Sequence, residues 1–325
     1  MSTLPMLRPP ALQVGDCIGL AAPASPFRHE EFFAGIAALR ALGFRVYYTP
    51  QVFDKYRYLA GSDAARAADL QHLFTHPDVK AIFCCRGGYG AQRLLPYLDA
   101  GVIRAHPKIF VGYSDLTSLL LYLHSQCRLV TFHGPVVVGD LWQGLPLDVQ
   151  QQRTGVLRGE AQAMQPPASQ LAALTMLQAG EAEGILLGGC LSLFVCSIGT
   201  PFQPDTRDTI LFLEDRGERL YAVDRMLTYL RLAGVFAGVR GIVFGSMERV
   251  EADRHLPYGM AEVILDVLGD LQIPILSGFP AGHCAQPLLL PFGVRAAIRQ
   301  GRLWLCEVPV AYPDAPAGEA TCAAP

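Results

Sequence analysis

The chain has 325 residues, 51% of them hydrophobic and only 17% charged, with a formal net charge of −3 at pH 7. That length exceeds one ordinary core and divides readily in two, while so apolar a composition excludes a long disordered region. Charges of both signs are interspersed, without a Lys/Arg block or an aromatic-basic stripe, so nucleic acid is not an expected partner.

The N-terminal stretch MSTLPMLRPPALQVGD holds prolines and early charges where a signal peptide needs an unbroken apolar core, which points to a cytoplasmic protein. DCIGLAAPAS reads as a strand leading into a Pro/Ser loop, EEFFAGIAALRALG as an amphipathic helix ending at Gly43, and FRVYYTP as a strand. AARAADLQHLFTHP is a helix, VKAIFCCRGGYG a strand running into a glycine turn, and AQRLLPYLD helical. KIFVGY is a strand and DLTSLLLYLHSQ a helix. This β-α alternation predicts a parallel sheet with covering helices, on which ligands bind at the carboxyl ends of the strands. The turns RGGYG and GYSD both fall at that edge.

Residues 158–183 change character, with adjacent Pro166 and Pro167 and frequent Ala and Gln, and read as a linker. Ile185 to Phe202 is uncharged and just long enough to span a bilayer, but its Gly, Ser, Thr and Pro residues favour a buried strand, a glycine turn and a small-residue helix. TILFLED, VRGIVFGSM and PILSGFPAGH then supply strands, RLYAVDRMLTYLRLAG and MAEVILDVLGDL helices, and AAIRQGRLWLCE a hairpin through Gln300-Gly301. The expected domains are 1–157, α/β with a parallel sheet, and 184–312, mixed α/β, followed by a flexible tail at 313–325. None of the nine cysteines forms a C-x-x-C pair. Most sit in apolar runs and read as reduced, packed thiols, and no metal or cofactor is expected.

Four groups of residues offer chemistry. Ser114 stands between a strand and a helix, where a serine is either an ordinary N-cap or the nucleophile of a tight elbow that exposes its Oγ. The pattern G-Y-S-D-L lacks the second glycine of G-x-S-x-G. In RGGYG, the paired glycines can aim backbone N–H groups at a developing oxyanion, or can serve only a close-packed turn. If the two turns top neighbouring strands, the N–H groups of Gly88 and Asp115 converge beside Ser114. Of the eight histidines, most, including His72, His76, His106, His124 and His255, sit in helix faces or polar stretches, whereas His283 in GFPAGH and His133 in TFHGP stand at loop edges. For an orienting acid, FLED supplies Glu214 and Asp215, and pattern alone does not choose between them. Cys84 and Cys85 precede the glycine turn inside an apolar strand, where a thiol is inert.

Taken in order, the blocks LRPPALQVGDCIGLAAPASPF, RYLAGSDAARAADLQHLFTHPDVKAIFCCRGGYGAQRLLPYLD, GYSDLTSLL, TFHGPV, GILLGGCLSL, IGTPF, ILFLED and the late GH resemble the LD-carboxypeptidase family of serine peptidases, which also holds the microcin C self-immunity hydrolases. The resemblance spans nearly the whole chain. It implies a Ser-Glu-His triad of Ser114, Glu214 and His283, with backbone N–H groups of Gly88 and Asp115 as oxyanion donors. Arg86 is the candidate for the substrate carboxylate, against a purely structural role. The implied substrate is a cytoplasmic murein tetrapeptide losing its terminal D-alanine during wall recycling, the implied assembly a homodimer without a membrane partner. Two positions depart from the family pattern: Cys190 where an asparagine usually follows the paired glycines, and Pro287 where an asparagine is common. The alternatives are an immunity-type hydrolase of aminoacyl- or peptidyl-nucleotide toxins and a non-enzymatic anion-binding module. The former is disfavoured because residues 158–183 contain no Trp, Tyr or Phe to stack on a base.

Overall fold

A computed structural model describes residues 5–139, 145–160, 165–248 and 257–312. The first part of the chain runs β1 (Cys17–Ala21), α1 (His29–Ala41), β2 (Arg45–Tyr47), α2 (Asp63–Thr75), β3 (Val79–Cys84), α3 (Ala100–Ala105), β4 (Ile109–Gly112), α4 (Thr117–Ser125) and β5 (Thr131–His133). After α5 (Leu147–Arg158) come β6 (Thr175–Gln178), β7 (Ala182–Cys190), α6 (Leu191–Val195), β8 (Thr209–Arg216), α7 (Leu220–Leu232), β9 (Gly241–Glu248) and α8 (Met260–Leu268). The last strands are β10 (Ile275–Ser277), β11 (Leu290–Phe292), β12 (Arg295–Arg299) and β13 (Arg302–Leu305).

Two sheets result. The first has the order β11-β5-β4-β3-β1-β2, parallel except for the antiparallel edge strand β11. Its strands are the near-continuous apolar runs that a sheet covered on both faces needs: every residue of β1 and of β4 is buried. Strand order reverses between β1 and β3, and the loops that leave these two strands open a crevice at their carboxyl ends. The second sheet, β13-β12-β7-β8-β9-β10-β6, has a parallel centre of β7 to β10 and antiparallel flanks. The fold is therefore mixed α/β in both halves. The β12–β13 hairpin turns through Gln300 and Gly301, both at positive φ.

Several expectations need correction. The segment read as a linker, 158–183, is not all connection: β6 within it is an edge strand of the second sheet, its Met176 paired with Leu276. Residues 184–312 do not stay in one half, because β11 crosses back to pair with β5, with Leu290 opposite His133. The helical stretch AQRLLPYLD is a 3-10 helix over Ala91–Tyr97 with Pro96 inside it, a ring that cannot continue an α-helix. Among the described residues seven cysteines are free thiols, as expected, but Cys306 is disulfide-bonded. Ile185 to Phe202 divides into the end of β7 and the short α6, and no helix among the described residues is long and apolar enough to cross a membrane. The tail 313–325 and His255 lie outside the described residues.

Candidate active site

Ser114 sits at the carboxyl end of β4 with φ of +62°, a left-handed conformation that costs a non-glycine residue energy and persists only where its surroundings enforce it. The turn Ser114–Leu116 is 3-10, Leu116 is the N-cap of α4, and no side chain caps either helix. The N-cap reading of Ser114 is therefore not what the structure shows. Ser114 takes the strained conformation of a sharp elbow although the second glycine of the pattern is absent.

The glycine turn RGGYG leaves β3, which pairs in parallel with β4, so the two turns do top neighbouring strands. A Cβ built on Gly87 would lie 3.1 Å from Ser114 Cβ and 3.4 Å from its Oγ. Gly88 has φ of +106°, and a Cβ there would meet Ser25 Oγ at 2.5 Å, so only glycine fits. Ser25, in the loop after β1, donates its N–H to Gly87 O at 3.3 Å, and its Oγ accepts from Tyr89 N–H at 3.1 Å. From the other side, the buried Asp115 carboxylate accepts the Ala91 N–H at 2.8 Å. Burial pushes the Asp115 carboxyl up, against that bond and the nearby Arg66 guanidinium. Arg66, also buried, donates to the carbonyls of Pro23 and Gly90. The backbone around Gly88 and Asp115 is thus braced from three elements.

The second sheet supplies the carboxylates. Successive residues of a strand point to opposite faces, and here that alternation separates Glu214 from Asp215. A register irregularity between Leu213 and Asp215, against β9, marks the point where Glu214 is aimed. Its Oε2 accepts the His283 backbone N–H at 3.0 Å and lies 2.7 Å from His283 Nδ1. Asp215 instead accepts the Ser192 N–H at 2.8 Å and the Arg216 N–H at 2.8 Å. Gly282, at φ +91°, permits the contact, since a Cβ there would lie 2.4 Å from Glu214 Oε2. Ser246 of β9 fixes the same loop by donating its hydroxyl to His283 O at 2.7 Å.

Glu214 is fully buried. Burial alone would raise its pKa, but the two nearby imidazoles, His133 and the hydrogen-bonded His283, outweigh that and hold the carboxyl at about 2. Burial disfavours the charged form of His283, and the hydrogen bond and charge of Glu214 reverse the effect, leaving its pKa raised. His133, the other loop-edge histidine, also reaches this carboxylate: its Nε2 lies 3.6 Å from Glu214 Oε1, beyond hydrogen-bond length.

The two halves meet where the Cys190 N–H donates to Thr117 Oγ1 at 3.0 Å. Between them opens a cavity of about 690 Å³ whose lining includes Arg86, Gly88, Ser114, Cys190 and His283. Ser114 and His283 face this common space, although no hydrogen bond joins Ser114 Oγ to the imidazole among the described residues. Arg86 donates its guanidinium to Pro26 O at 3.2 Å and also lines the cavity. At the departure Cys190, burial and the Asp215 and Glu214 carboxylates push the thiol well up. At Pro287, the carbonyl accepts from the buried Arg153 at 2.9 Å, tying the loop after His283 to α5. Cys84 and Cys85 are fully buried, which raises both thiols and keeps them unreactive. No group of three or more His, Cys, Asp or Glu side chains arranged to hold a metal occurs among the described residues.

The chain has known relatives. Residues 18–134 match the family model of the LD-carboxypeptidase N-terminal domain and residues 183–298 that of the LD-carboxypeptidase C-terminal domain. A probable murein peptide carboxypeptidase of Bacillus subtilis (strain 168) is 38% identical over 293 residues, covering 90% of this chain and 91% of that protein. The solved structure of MccF in complex with glutamyl sulfamoyl guanosine superposes with a TM-score of 0.82 at 27% identity, covering 94% of this chain and all of the other. The muramoyltetrapeptide carboxypeptidase from Oxalobacter formigenes superposes with a TM-score of 0.75 at 28% identity, covering 89% of this chain and 97% of that one.

Proposed function

Because the chain belongs to the LD-carboxypeptidase family and is a serine-type carboxypeptidase hydrolase, we propose that it removes the terminal D-alanine from murein tetrapeptide. The observation that carries this reading is the pairing of a strained Ser114 with a carboxylate-held His283 across one cavity. Ser114 Oγ attacks the carbonyl of the L,D-peptide bond while His283 Nε2 takes its proton. Glu214 keeps the imidazole proton on Nδ1 and stabilises the imidazolium that forms. The oxyanion is met by the backbone N–H groups of Gly88 and Asp115. His283 then protonates the departing D-alanine amine, and a water activated by the same base releases the tripeptide from Ser114.

In this reading Arg86 pairs with the substrate's terminal carboxylate, and its position on the cavity wall supports that role. The reaction fits cytoplasmic recycling of wall peptides, with residues 1–157 carrying the nucleophile, 184–312 the acid and base, and a homodimer as the working assembly; support for these four points is the family resemblance.

The likeness to MccF favours a second reading, hydrolysis of aminoacyl- or peptidyl-nucleotides. The absence of aromatic residues from 158–183 speaks against it. Parallel digests of tetrapeptides ending in D-Ala or L-Ala and of an aminoacyl sulfamoyl nucleoside, followed by mass spectrometry, separate the two. Cleavage confined to the D-Ala peptide supports the murein reading, and cleavage confined to the nucleoside overturns it.

A further inference from the structure

His283 occupies only one oxygen of Glu214. The other, Oε1, is buried and has no hydrogen-bond partner among the described residues. Facing it at 3.6 Å is Nε2 of His133, a fully buried residue neither of whose ring nitrogens has a hydrogen-bond partner among the described residues. Buried polar atoms are nearly always paired, so two unpaired ones pointing at each other mark an interaction that this geometry leaves slightly open. His133 ends β5, its register partner on β4 is Gly112, and Ser114 follows two residues later. The imidazole is packed among the rings of Tyr113, Phe212 and Phe292, with centroids 5.9, 5.2 and 5.4 Å away. These rings restrict the imidazole to the orientation that faces Glu214.

We infer that His133 is a positioning residue: its imidazole donates Nε2–H to Oε1 of Glu214, so that the acid is gripped by a histidine at each oxygen. The inference rests on the proposed role of Glu214 as the triad acid. Hydrogen bonds at hydrolytic sites are often long without substrate and tighten in the complex, which accounts for 3.6 Å against the roughly 3.2 Å of a formed bond. The grip has a second consequence. His133 belongs to the sheet that carries Ser114 and Glu214 to the other sheet, so the contact sets the acid and base in register with the nucleophile.

The test combines kinetics with a spectroscopic signature on the full chain. Nitrogen-15 NMR of histidine-labelled protein is expected to find His133 protonated on Nε2, with a resonance that moves in Glu214→Gln. His133→Phe, which keeps the aromatic packing, is expected to lower kcat roughly 10–100-fold with KM within about twofold, the range typical of residues that orient a functional side chain. His133→Gln, which keeps an N–H donor, is expected to recover part of that loss. A His133→Phe enzyme with unchanged kcat, or a His133 protonated on Nδ1 alone, overturns the inference. If His133→Phe does not fold, the NMR signature of the unmutated protein decides. A fully active Glu214→Gln enzyme would overturn the triad itself; an inactive one beside a fully active His133→Phe enzyme overturns only the role of His133.

Discussion

His283 is attached twice to a single oxygen of Glu214: its backbone N–H donates to Oε2 at 3.0 Å, and its Nδ1 lies 2.7 Å from the same atom. One bond fixes the loop and the other fixes the ring, so the imidazole has little freedom left except to present Nε2 to the cavity. Glu214→Gln keeps the shape but removes the charge, and its amide can present N–H where an acceptor is needed. We expect kcat to fall roughly 10³–10⁴-fold with KM little changed, by analogy with amide replacement of a triad acid. Steady-state kinetics on a D-Ala tetrapeptide checks this.

The raised pKa of His283 sets the pH profile. Facing this ring are the Glu214 and Asp215 carboxylates, Arg216 and the Tyr113 ring. The base must be neutral to accept the Ser114 proton, so kcat/KM should fall on the acid side with a midpoint above the ordinary histidine value of 6.5. Removing the Glu214 charge takes away the interaction that raises the pKa, and in Glu214→Gln the midpoint should move down. Glu214 itself, held at about 2, adds no limb near neutrality. Its contribution to stability is present above the ordinary carboxyl value of 4.5 and is lost as pH falls toward about 2.

Gly88→Ala tests the oxyanion loop. The new Cβ collides with Ser25 at a backbone conformation that alanine resists, so the N–H of residue 88 is displaced while the core is untouched. A loss of roughly 10²–10³ in kcat, the scale of removing one oxyanion donor, is expected with little change in far-UV circular dichroism. Adding Ser25→Gly relieves the collision but not the strained φ, so the double variant should recover activity only in part.

Asp115→Ala tests the brace between the two turns. It leaves the Ala91 N–H unpaired in a buried position, which costs about 1–3 kcal/mol, and frees the glycine turn from the Ser114 turn. Urea denaturation should show that loss, and kcat should fall as well. Asp115→Asn, whose side-chain oxygen still accepts the Ala91 N–H, should retain most of the stability.

Much of this site could be read from the residues. The strand-turn-helix pattern around GYSD located Ser114, and the apolar runs ending in RGGYG and GYSD placed both turns at the carboxyl edge of a parallel sheet. The choice between Glu214 and Asp215 was not legible in the local pattern and came from the family resemblance alone. It depends on which face of β8 each residue occupies and on the local irregularity against β9, and both are properties of strand pairing. His133 and His283 looked alike in sequence because both stand at loop edges; they approach one carboxylate from different sheets, a relation of tertiary geometry. The return of β11 to the first sheet was hidden for the same reason, since three apolar residues carry no mark of the strand they will pair with. The positive φ of Ser114 was only half announced, because Gly112 is present but the second glycine of the elbow pattern is missing.

The most direct test of the central claim is mass spectrometry of L-Ala-γ-D-Glu-meso-diaminopimelate-D-Ala after incubation with the unmutated protein and with Ser114→Ala. The account predicts loss of one alanine with the unmutated protein alone. An intact tetrapeptide in both, or equal cleavage by Ser114→Ala, would contradict it.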